Sequence, residues 1–101
     1  MQYKVILGSR VDSLLRRHTL FISNVSISRA ERFLNEFEGV VTQLKSNPFL
    51  YPFETDENLP PEKYRRAIFG KWYKALFRVE GDTVYLDAVC DCREDLARVI
   101  Q

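Results

Sequence analysis

The stretch from 63 to 79, KYRRAIFGKWYKALFRV, constrains the fold of this chain more than any other part of the sequence. It carries six basic residues and no acidic one, together with five aromatic residues and one central glycine. Aromatic and aliphatic runs on both sides of a glycine are typical of a tight β-hairpin. We therefore predict a strand at 64–69, a turn at Gly70-Lys71 and a strand at 72–79. The hairpin would present a basic, aromatic surface suited to binding a polyanion.

The length and composition of the chain predict one globular domain spanning residues 1–101. Hydrophobic residues make up 46% of the sequence and charged residues 29%, which is ordinary for a soluble protein. No apolar run approaches the ~20 residues of a membrane span. Lys4, Arg10 and Asp12 interrupt the beginning of the chain, which is unlike a signal peptide. We expect a cytoplasmic protein.

Charge is unevenly distributed, although the formal net charge is only +1. Residues 1–34 carry six basic and two acidic groups, and residues 35–62 carry one and six. Residues 63–79 carry six basic groups and no acidic group, and residues 80–101 carry two basic and six acidic groups. This alternation predicts either a basic surface on a nearly neutral protein or basic and acidic segments that pair across the fold.

The cysteines and the histidine do not form a metal-binding motif. Cys90 and Cys92 lie two apart in a predicted strand, and His18 is the only histidine. A zinc site would therefore need carboxylates to complete it. We expect free thiols, no metal and no cofactor, and we expect His18 to be a packed or rim residue of a helix.

Two amphipathic helices precede the hairpin. A short strand at 3–7 ends at Gly8, and Ser9 or Asp12 can cap the first helix. Ser28 and Glu31 have the form of a capping box for the second helix. The predicted apolar positions of the first helix are Val11, Leu14, Leu15, His18, Phe21, Ile22 and Val25. The predicted seam of the second helix is Ile27, Ala30, Leu34, Phe37, Val41 and Leu44.

The remaining segments complete an α+β domain. Residues 47–63 contain all four prolines and several apolar residues, which predicts an irregular but ordered loop. A strand is predicted at 83–90 with strictly alternating faces, and a short helix at 93–100. The predicted order is β-α-α-β-β-β-α, with an antiparallel sheet covered on one face by the helical hairpin and partly open on the other.

Alternation divides the hairpin into two faces. Tyr73, Ala75, Phe77 and Val79 form an apolar face predicted to pack on the helices, and Trp72, Lys74, Leu76 and Arg78 form an open face. Arg65, Lys74 and Arg93 are predicted to converge on one concave surface, where they would bind phosphate. The alternative is that these are solvated residues on the outer face of a half-covered sheet.

A series of short motifs along the chain resembles the ParE/RelE toxin superfamily. They are Leu44-x-x-Asn47-Pro48, Tyr51-Pro52, Tyr64-Arg65, Gly70-x-x-Tyr73-Lys74 and Val89-x-Asp91-x-Arg93. The resemblance implies the toxin of a bacterial type II toxin–antitoxin module, once described as a plasmid stabilisation protein. Such a toxin inhibits growth, either through DNA gyrase or by cleaving mRNA on the ribosome, and a cognate antitoxin neutralises it.

The resemblance also suggests site residues. By position, Arg65, Lys74 and Arg93 match the catalytic basic residues of the RelE-like enzymes. Arg66, Lys71, Trp72 and Arg78 are the accompanying candidates for RNA binding.

Two departures bear on catalysis. Ala67 stands where a second basic strand residue is expected, and the tail 94–101 has no tyrosine or histidine to act as an acid or base. The alternatives are a non-catalytic nucleic-acid-binding module and a degenerate toxin that retains only antitoxin binding.

Overall fold

The computed structural model describes residues 2–93 as two helices packed on a four-stranded sheet. The elements in chain order are β1 (Lys4–Leu7), α1 (Val11–Ser23), α2 (Ile27–Ser46), a short 3-10 helix (Pro48–Leu50), β2 (Arg65–Phe69), β3 (Tyr73–Glu80) and β4 (Thr83–Asp91). This order confirms the prediction up to the last strand. The helix predicted at 93–100 lies outside the described residues except for Arg93. Within residues 2–93, no helix has both the length and the apolarity to cross a membrane.

The sheet has the order β1-β4-β3-β2 and is mixed rather than wholly antiparallel. Strands β2, β3 and β4 form the predicted antiparallel meander. Strand β1 runs parallel to β4, with Lys4 opposite Thr83 and Leu7 opposite Leu86. Parallel neighbours need a long crossover connection, and here the helical hairpin and strands β2 and β3 lie between β1 and β4 along the chain.

The predicted hairpin is confirmed, with a turn one residue longer than expected. Phe69 pairs with Tyr73, so residues 70–72 form the connection. Gly70 has a φ of +57° and Lys71 a φ of +71°. The N–H of Trp72 donates to the Gly70 carbonyl at 2.8 Å. This turn requires left-handed backbone at two consecutive positions, of which only the first is a glycine.

Helix α2 begins two residues earlier than its predicted capping box. Ser26 has an extended backbone, and its hydroxyl accepts the N–H of Arg29 at 3.2 Å, so Ser26 and not Ser28 is the N-cap. The buried face of α2 also differs from the predicted seam, because Ile27 is 71% exposed and Leu34 is 37% exposed. The buried residues of α2 are Ala30, Phe33, Phe37, Val40 and Leu44.

The main core lies between the helices and one face of the sheet. Ala75 and Phe77 of β3 are fully buried there, as predicted for the apolar face of the hairpin. An aromatic group joins helix to sheet, with ring centroids 4.8 Å apart for Phe33 and Tyr73 and 5.2 Å apart for Phe33 and Phe69. Burying each such large side chain contributes about 1.5–3 kcal/mol.

A β-bulge in β4 breaks the predicted alternation of that strand. Leu76 is opposite Ala88 but Phe77 is opposite Leu86, so Asp87 is the extra residue. Val84 and Leu86 therefore pack in the main core, as predicted for one face. Beyond the bulge, Ala88 and Cys90 pack in a second core on the opposite face of the sheet.

Residues 51–64, which we call the strap, cover the face predicted to be partly open. Leu59 and Tyr64 of the strap pack on Leu76 and Cys90 in the second core. Backbone hydrogen bonds fix the two ends of the strap to each other and to β2. The N–H of Glu54 donates to the Tyr64 carbonyl at 2.7 Å, and the N–H of Arg66 donates to the Pro52 carbonyl at 3.0 Å. The loop predicted to be ordered thus forms a layer that covers the face of the sheet opposite the helices.

Candidate functional site

The three basic residues predicted to converge lie apart. Arg65 is opposite Phe77, which faces the helices, so Arg65 faces the same side. Lys74 is three residues from Phe77 in the same strand and therefore points to the strap side. Arg93 follows β4, beyond the end of the sheet at which the hairpin turns. The prediction that Arg65, Lys74 and Arg93 share one surface is wrong, because the first two face opposite sides of the sheet.

Lys74 forms a shielded ion pair with the strap. Its Nζ donates to Oε1 of Glu54 at 2.5 Å, and the two side chains are only 12% and 6% exposed. The other carboxylate oxygen of Glu54 accepts the N–H groups of Thr55 and Asp56. Burial alone would raise the pKa of Glu54, but the contacts with Lys74 and with the two amides lower it. The charge of Lys74 is therefore neutralised by a carboxylate of its own chain.

Arg65 clamps the beginning of the strap. Its guanidinium donates to the Tyr51 carbonyl at 2.6 Å and lies 4.0 Å from the ring centroid of Phe53 and 5.1 Å from that of Phe49. A planar guanidinium between two aromatic rings is a stabilising arrangement. A catalytic role for Arg65 stays a prediction, beside this structural one.

The predicted nucleic-acid contacts on the strap side also have partners in the chain. Arg78 donates to Asp87 at 3.0 Å, forms a second ion pair with Glu80 and lies over the Tyr85 ring. Arg66 donates to the Phe53 carbonyl at 2.6 Å. Arg66 and Arg78 thus bind β2 and β3 to neighbouring parts of the same chain.

Tyr64, which is buried on the strap side, interacts with Asp87 at the β-bulge. Burial raises the pKa of Tyr64, and the nearby carboxylate of Asp87 raises it further, partly through a hydrogen bond. Tyr64, Asp87 and Arg78 line a cavity of about 290 Å³ together with Gly8, Ser9, Arg10 and Lys63. Arg10, Lys63 and Arg78 line this cavity with one carboxylate, that of Asp87, which is already paired with Arg78.

A second and larger depression, which we call the tip groove, lies on the helix side beside the hairpin turn. Its volume is about 460 Å³. The residues that line it are Phe21, Ile22, Val25, Arg29, Arg32, Phe33, Glu36, Gly70, Lys71, Trp72, Tyr73 and Arg93. Lys71, Trp72 and Arg93 are predicted site residues, and the structure brings these three together.

The tip groove is strongly basic. Arg29, Arg32, Lys71 and Arg93 line it against a single acidic residue, Glu36. Among residues 2–93, neither Arg29 nor Arg32 nor Lys71 forms an ion pair with a carboxylate. Three cationic side chains without an ion pair around one concavity produce a field that attracts anionic groups.

Arg93 and Trp72 form one side of the tip groove. The guanidinium of Arg93 contacts both carboxylate oxygens of Asp91, at 2.8 and 2.6 Å, and these hydrogen bonds lower the pKa of Asp91. Trp72 is 53% exposed, with the Lys71 and Arg93 cations each 5.8 Å from its ring centroid. The N–H of Cys92 donates to the Trp72 carbonyl at 2.7 Å, which ties the end of β4 to the turn.

The elements around the groove explain how its cations are placed. The Ser26 cap starts α2 so that Arg29 and Arg32, three residues apart, lie on one side of its first turns. The left-handed turn brings Lys71 and Trp72 towards the same region. The backbone dipole of α2 adds positive potential near its beginning.

The part of the tip groove that the two helices and the turn between them form was not predicted from the sequence. Phe21 and Val25 were assigned to the buried stripe of α1, but they are 65% and 73% exposed. The predicted apolar stripe is wider than the packed face of α1, because only Val11 and His18 of this helix are buried. The surplus apolar residues at the end of α1, next to the basic pair Arg29 and Arg32, were the signal available.

The histidine and the cysteines occupy packed or peripheral positions. The Nε2 of His18 lies 3.1 Å from the Val89 carbonyl, and its ring lies 5.0 Å from that of Tyr73, which confirms a packed histidine. Cys90 is buried and Cys92 exposed, both as free thiols. Among the described residues, no group of histidine, cysteine and carboxylate side chains is arranged to hold a metal ion.

Comparison with solved structures identifies the fold. A chain of the chromosomal ParDE TA system from P. aeruginosa matches with a TM-score of 0.70 at 14% identity. The match covers 89% of this chain and 96% of that chain. No protein-family profile matches the sequence, and no curated protein does. The chain therefore has a ParE/RelE-like fold, as the sequence motifs predicted.

Proposed function

We propose that this chain is the toxin of a bacterial type II toxin–antitoxin module, acts in the cytoplasm and is neutralised by a cognate antitoxin. The observation that carries the proposal is the match to a chain of a ParDE TA system over nearly the full length of both chains. The motifs from Leu44 to Arg93 support it independently, because they depend on sequence alone.

Within that class, we propose that the toxin acts by binding its target rather than by cutting RNA, and that DNA gyrase is the target to test first. Cleavage next to a ribose hydroxyl needs a base, an acid and cations that converge on one phosphate. Arg65 and Lys74 face opposite sides of the sheet, and Lys74 is neutralised by Glu54. Arg29, Arg32 and Lys71 line the tip groove and form no ion pair within residues 2–93, so their charges are available for binding.

Induced expression in a bacterial host tests the toxin class. The chain should arrest growth, and co-expression of a short neighbouring reading frame from the source genome should restore it. A matched variant, Arg29→Gln/Arg32→Gln, should be less toxic at equal abundance. Unchanged growth on induction of folded, abundant protein would contradict the proposal.

Two biochemical assays separate the possible targets. Purified protein should inhibit supercoiling of relaxed plasmid by gyrase, whereas mRNA ends mapped after cell-free translation should remain unchanged. New mRNA ends that depend on the ribosome, with normal supercoiling, would replace the gyrase hypothesis with ribosome-dependent endonuclease activity.

A second candidate function is favoured by Trp72. An exposed tryptophan between two cations resembles the stacking platforms on which single-stranded nucleic acids bind. A non-catalytic nucleic-acid-binding module would bind oligonucleotides with a strong dependence on salt and would leave growth unaffected.

A further inference from the structure

We propose that the tip groove binds an acidic peptide segment that inserts an apolar anchor residue between α1 and the hairpin turn. The inference rests on the proposed function only for the identity of the protein that carries the segment. The chemistry of the segment follows from the groove itself, through its apolar wall and its cationic rim.

The apolar wall comes from the end of α1. Phe21 lies in the last turn of α1 and Val25 lies just after the helix ends; both line the groove and are mostly exposed. The neighbouring Leu20 and Ile27 are 62% and 71% exposed, so the apolar surface continues beyond the groove. A contiguous patch of this kind, rimmed by charge, marks a protein interaction site.

The cationic rim selects an acidic partner. Arg29 and Arg32 stand on the α2 side, and Lys71 and Arg93 stand on the sheet side. Carboxylates placed on both sides of an apolar anchor would reach both sets of cations. Arginine and tryptophan are also the residues most enriched among those that dominate binding energy at protein interfaces.

A peptide fits the groove better than a nucleic acid does. The apolar wall of Phe21 and Val25 offers no hydrogen bonds to phosphate, although the exposed rings of Phe21 and Trp72 can each stack a base. Glu36 also lines the groove and would repel a continuous polyanion, but a peptide can place a neutral or basic side chain opposite it.

The backbone at the turn supports a binding role. Lys71 holds a left-handed conformation at a φ of +71°, which is sterically unfavourable for a residue with a side chain. Strained residues of this kind concentrate at ligand clamps and active sites. Here the strained residue carries one of the four cations of the groove.

Fluorescence anisotropy with the full-length protein tests the proposal. The probe is a short labelled peptide in which glutamates flank leucine and phenylalanine anchors. Three comparison probes replace its glutamates with lysine, replace its anchors with serine, or substitute an oligouridylate of similar length. The acidic, anchored peptide should bind about tenfold or more tightly than each of the other three.

Matched variants locate the binding site. Arg29→Gln/Arg32→Gln and, separately, Phe21→Ser should each weaken binding of the acidic peptide about tenfold. Arg16→Gln/Lys45→Gln makes the same change in charge with two exposed residues outside the groove and should have little effect. Thermal unfolding followed by circular dichroism checks that all variants fold alike.

Four results would overturn the proposal. They are equal weakening by the control pair, tighter binding of the oligouridylate, no binding by any version of the protein, and binding only after Glu94→Gln/Asp95→Gln. The last result would identify the acidic C-terminal residues of the chain itself as the occupant. Peptide binding is measured without cells, so failure to arrest growth would contradict the proposed toxin and leave this inference standing.

Discussion

The strap side and the tip groove carry the same kinds of residue and use them differently. On the strap side, Lys74 is enclosed with Glu54, and Arg78 is paired with Asp87 and Glu80. At the tip groove, Arg29 and Arg32 form no ion pair within the described residues and lie beside exposed apolar side chains. The two regions have similar numbers of cations. Those of the strap side are paired and support the fold, whereas those of the tip groove are mostly unpaired and available to a ligand.

The difference shows that a basic residue in a strand indicates function only when its own chain leaves it uncompensated. The strap supplies the carboxylate and the carbonyl oxygens that satisfy one set of cations. The groove has one carboxylate for four cations, apart from Asp91, which holds Arg93. The four predictions that follow test this contrast, in order of decreasing effect on stability.

The largest effect on stability is expected at Lys74. Lys74→Ala should lower the free energy of unfolding by about 3 kcal/mol, because it leaves the shielded carboxylate of Glu54 without its partner. Lys71→Ala should change it by less than about 1 kcal/mol, since Lys71 is exposed. Urea denaturation measures both. Equal effects of the two substitutions would remove the distinction between the faces.

The same ion pair should make the protein sensitive to acid. The pKa of Glu54 is lowered in the folded state, so its contribution to stability is complete above the unfolded carboxyl pKa of about 4.3. That contribution is lost as the pH falls through the folded pKa. Glu54→Gln should therefore be less stable than the unmodified protein at neutral pH, with a difference that shrinks on acidification. Denaturation curves across an acid series would show it, and a difference independent of pH would contradict it.

A smaller effect of opposite sign is expected at the turn. Lys71→Gly should raise the free energy of unfolding by about 1 kcal/mol, because glycine adopts a positive φ without the steric penalty of a side chain. It should also weaken binding of the acidic peptide, since it removes a cation of the groove. Improved stability with unchanged peptide affinity would exclude Lys71 from the binding surface.

The smallest effect on stability is expected at Trp72. Trp72→Ala should change the free energy of unfolding by less than about 1 kcal/mol, because the side chain is 53% exposed. Trp72 is also the only tryptophan, so its fluorescence should shift when the groove is filled. A spectrum that stays constant at saturating acidic peptide would place the binding elsewhere.

Much of the fold could be read from the sequence because its signals are local. The glycine-centred hairpin, the two amphipathic helices and the apolar face from Tyr73 to Val79 each depend on periodicity within one segment. The bulge at Asp87 could not be predicted in this way, because an extra residue in a strand leaves little trace in its composition. The parallel placement of β1 likewise depends on contacts between distant segments.

The candidate site was predicted only in part for the same reason. Lys71 and Trp72 were identified because they lie in the conspicuous hairpin, and Arg93 because its position matches the family motif that ends the last strand. Arg29 and Arg32 were not, since their importance depends on the packing of α2 beside the turn. The neutralisation of Lys74 was also hidden, because Glu54 is twenty residues away in the sequence and reaches it only when the strap folds back.

The parallel pairing of β1 with β4 determines when the molecule can become complete. Lys4 is synthesised long before its partner Thr83, which follows it by 79 residues (83 − 4) in the sequence. During synthesis at roughly 5–20 residues per second, the first strand must wait for several seconds before its place in the sheet exists. A nascent chain that ends before β4 therefore lacks its full sheet, and any activity that requires the whole fold is delayed until β4 has been synthesised.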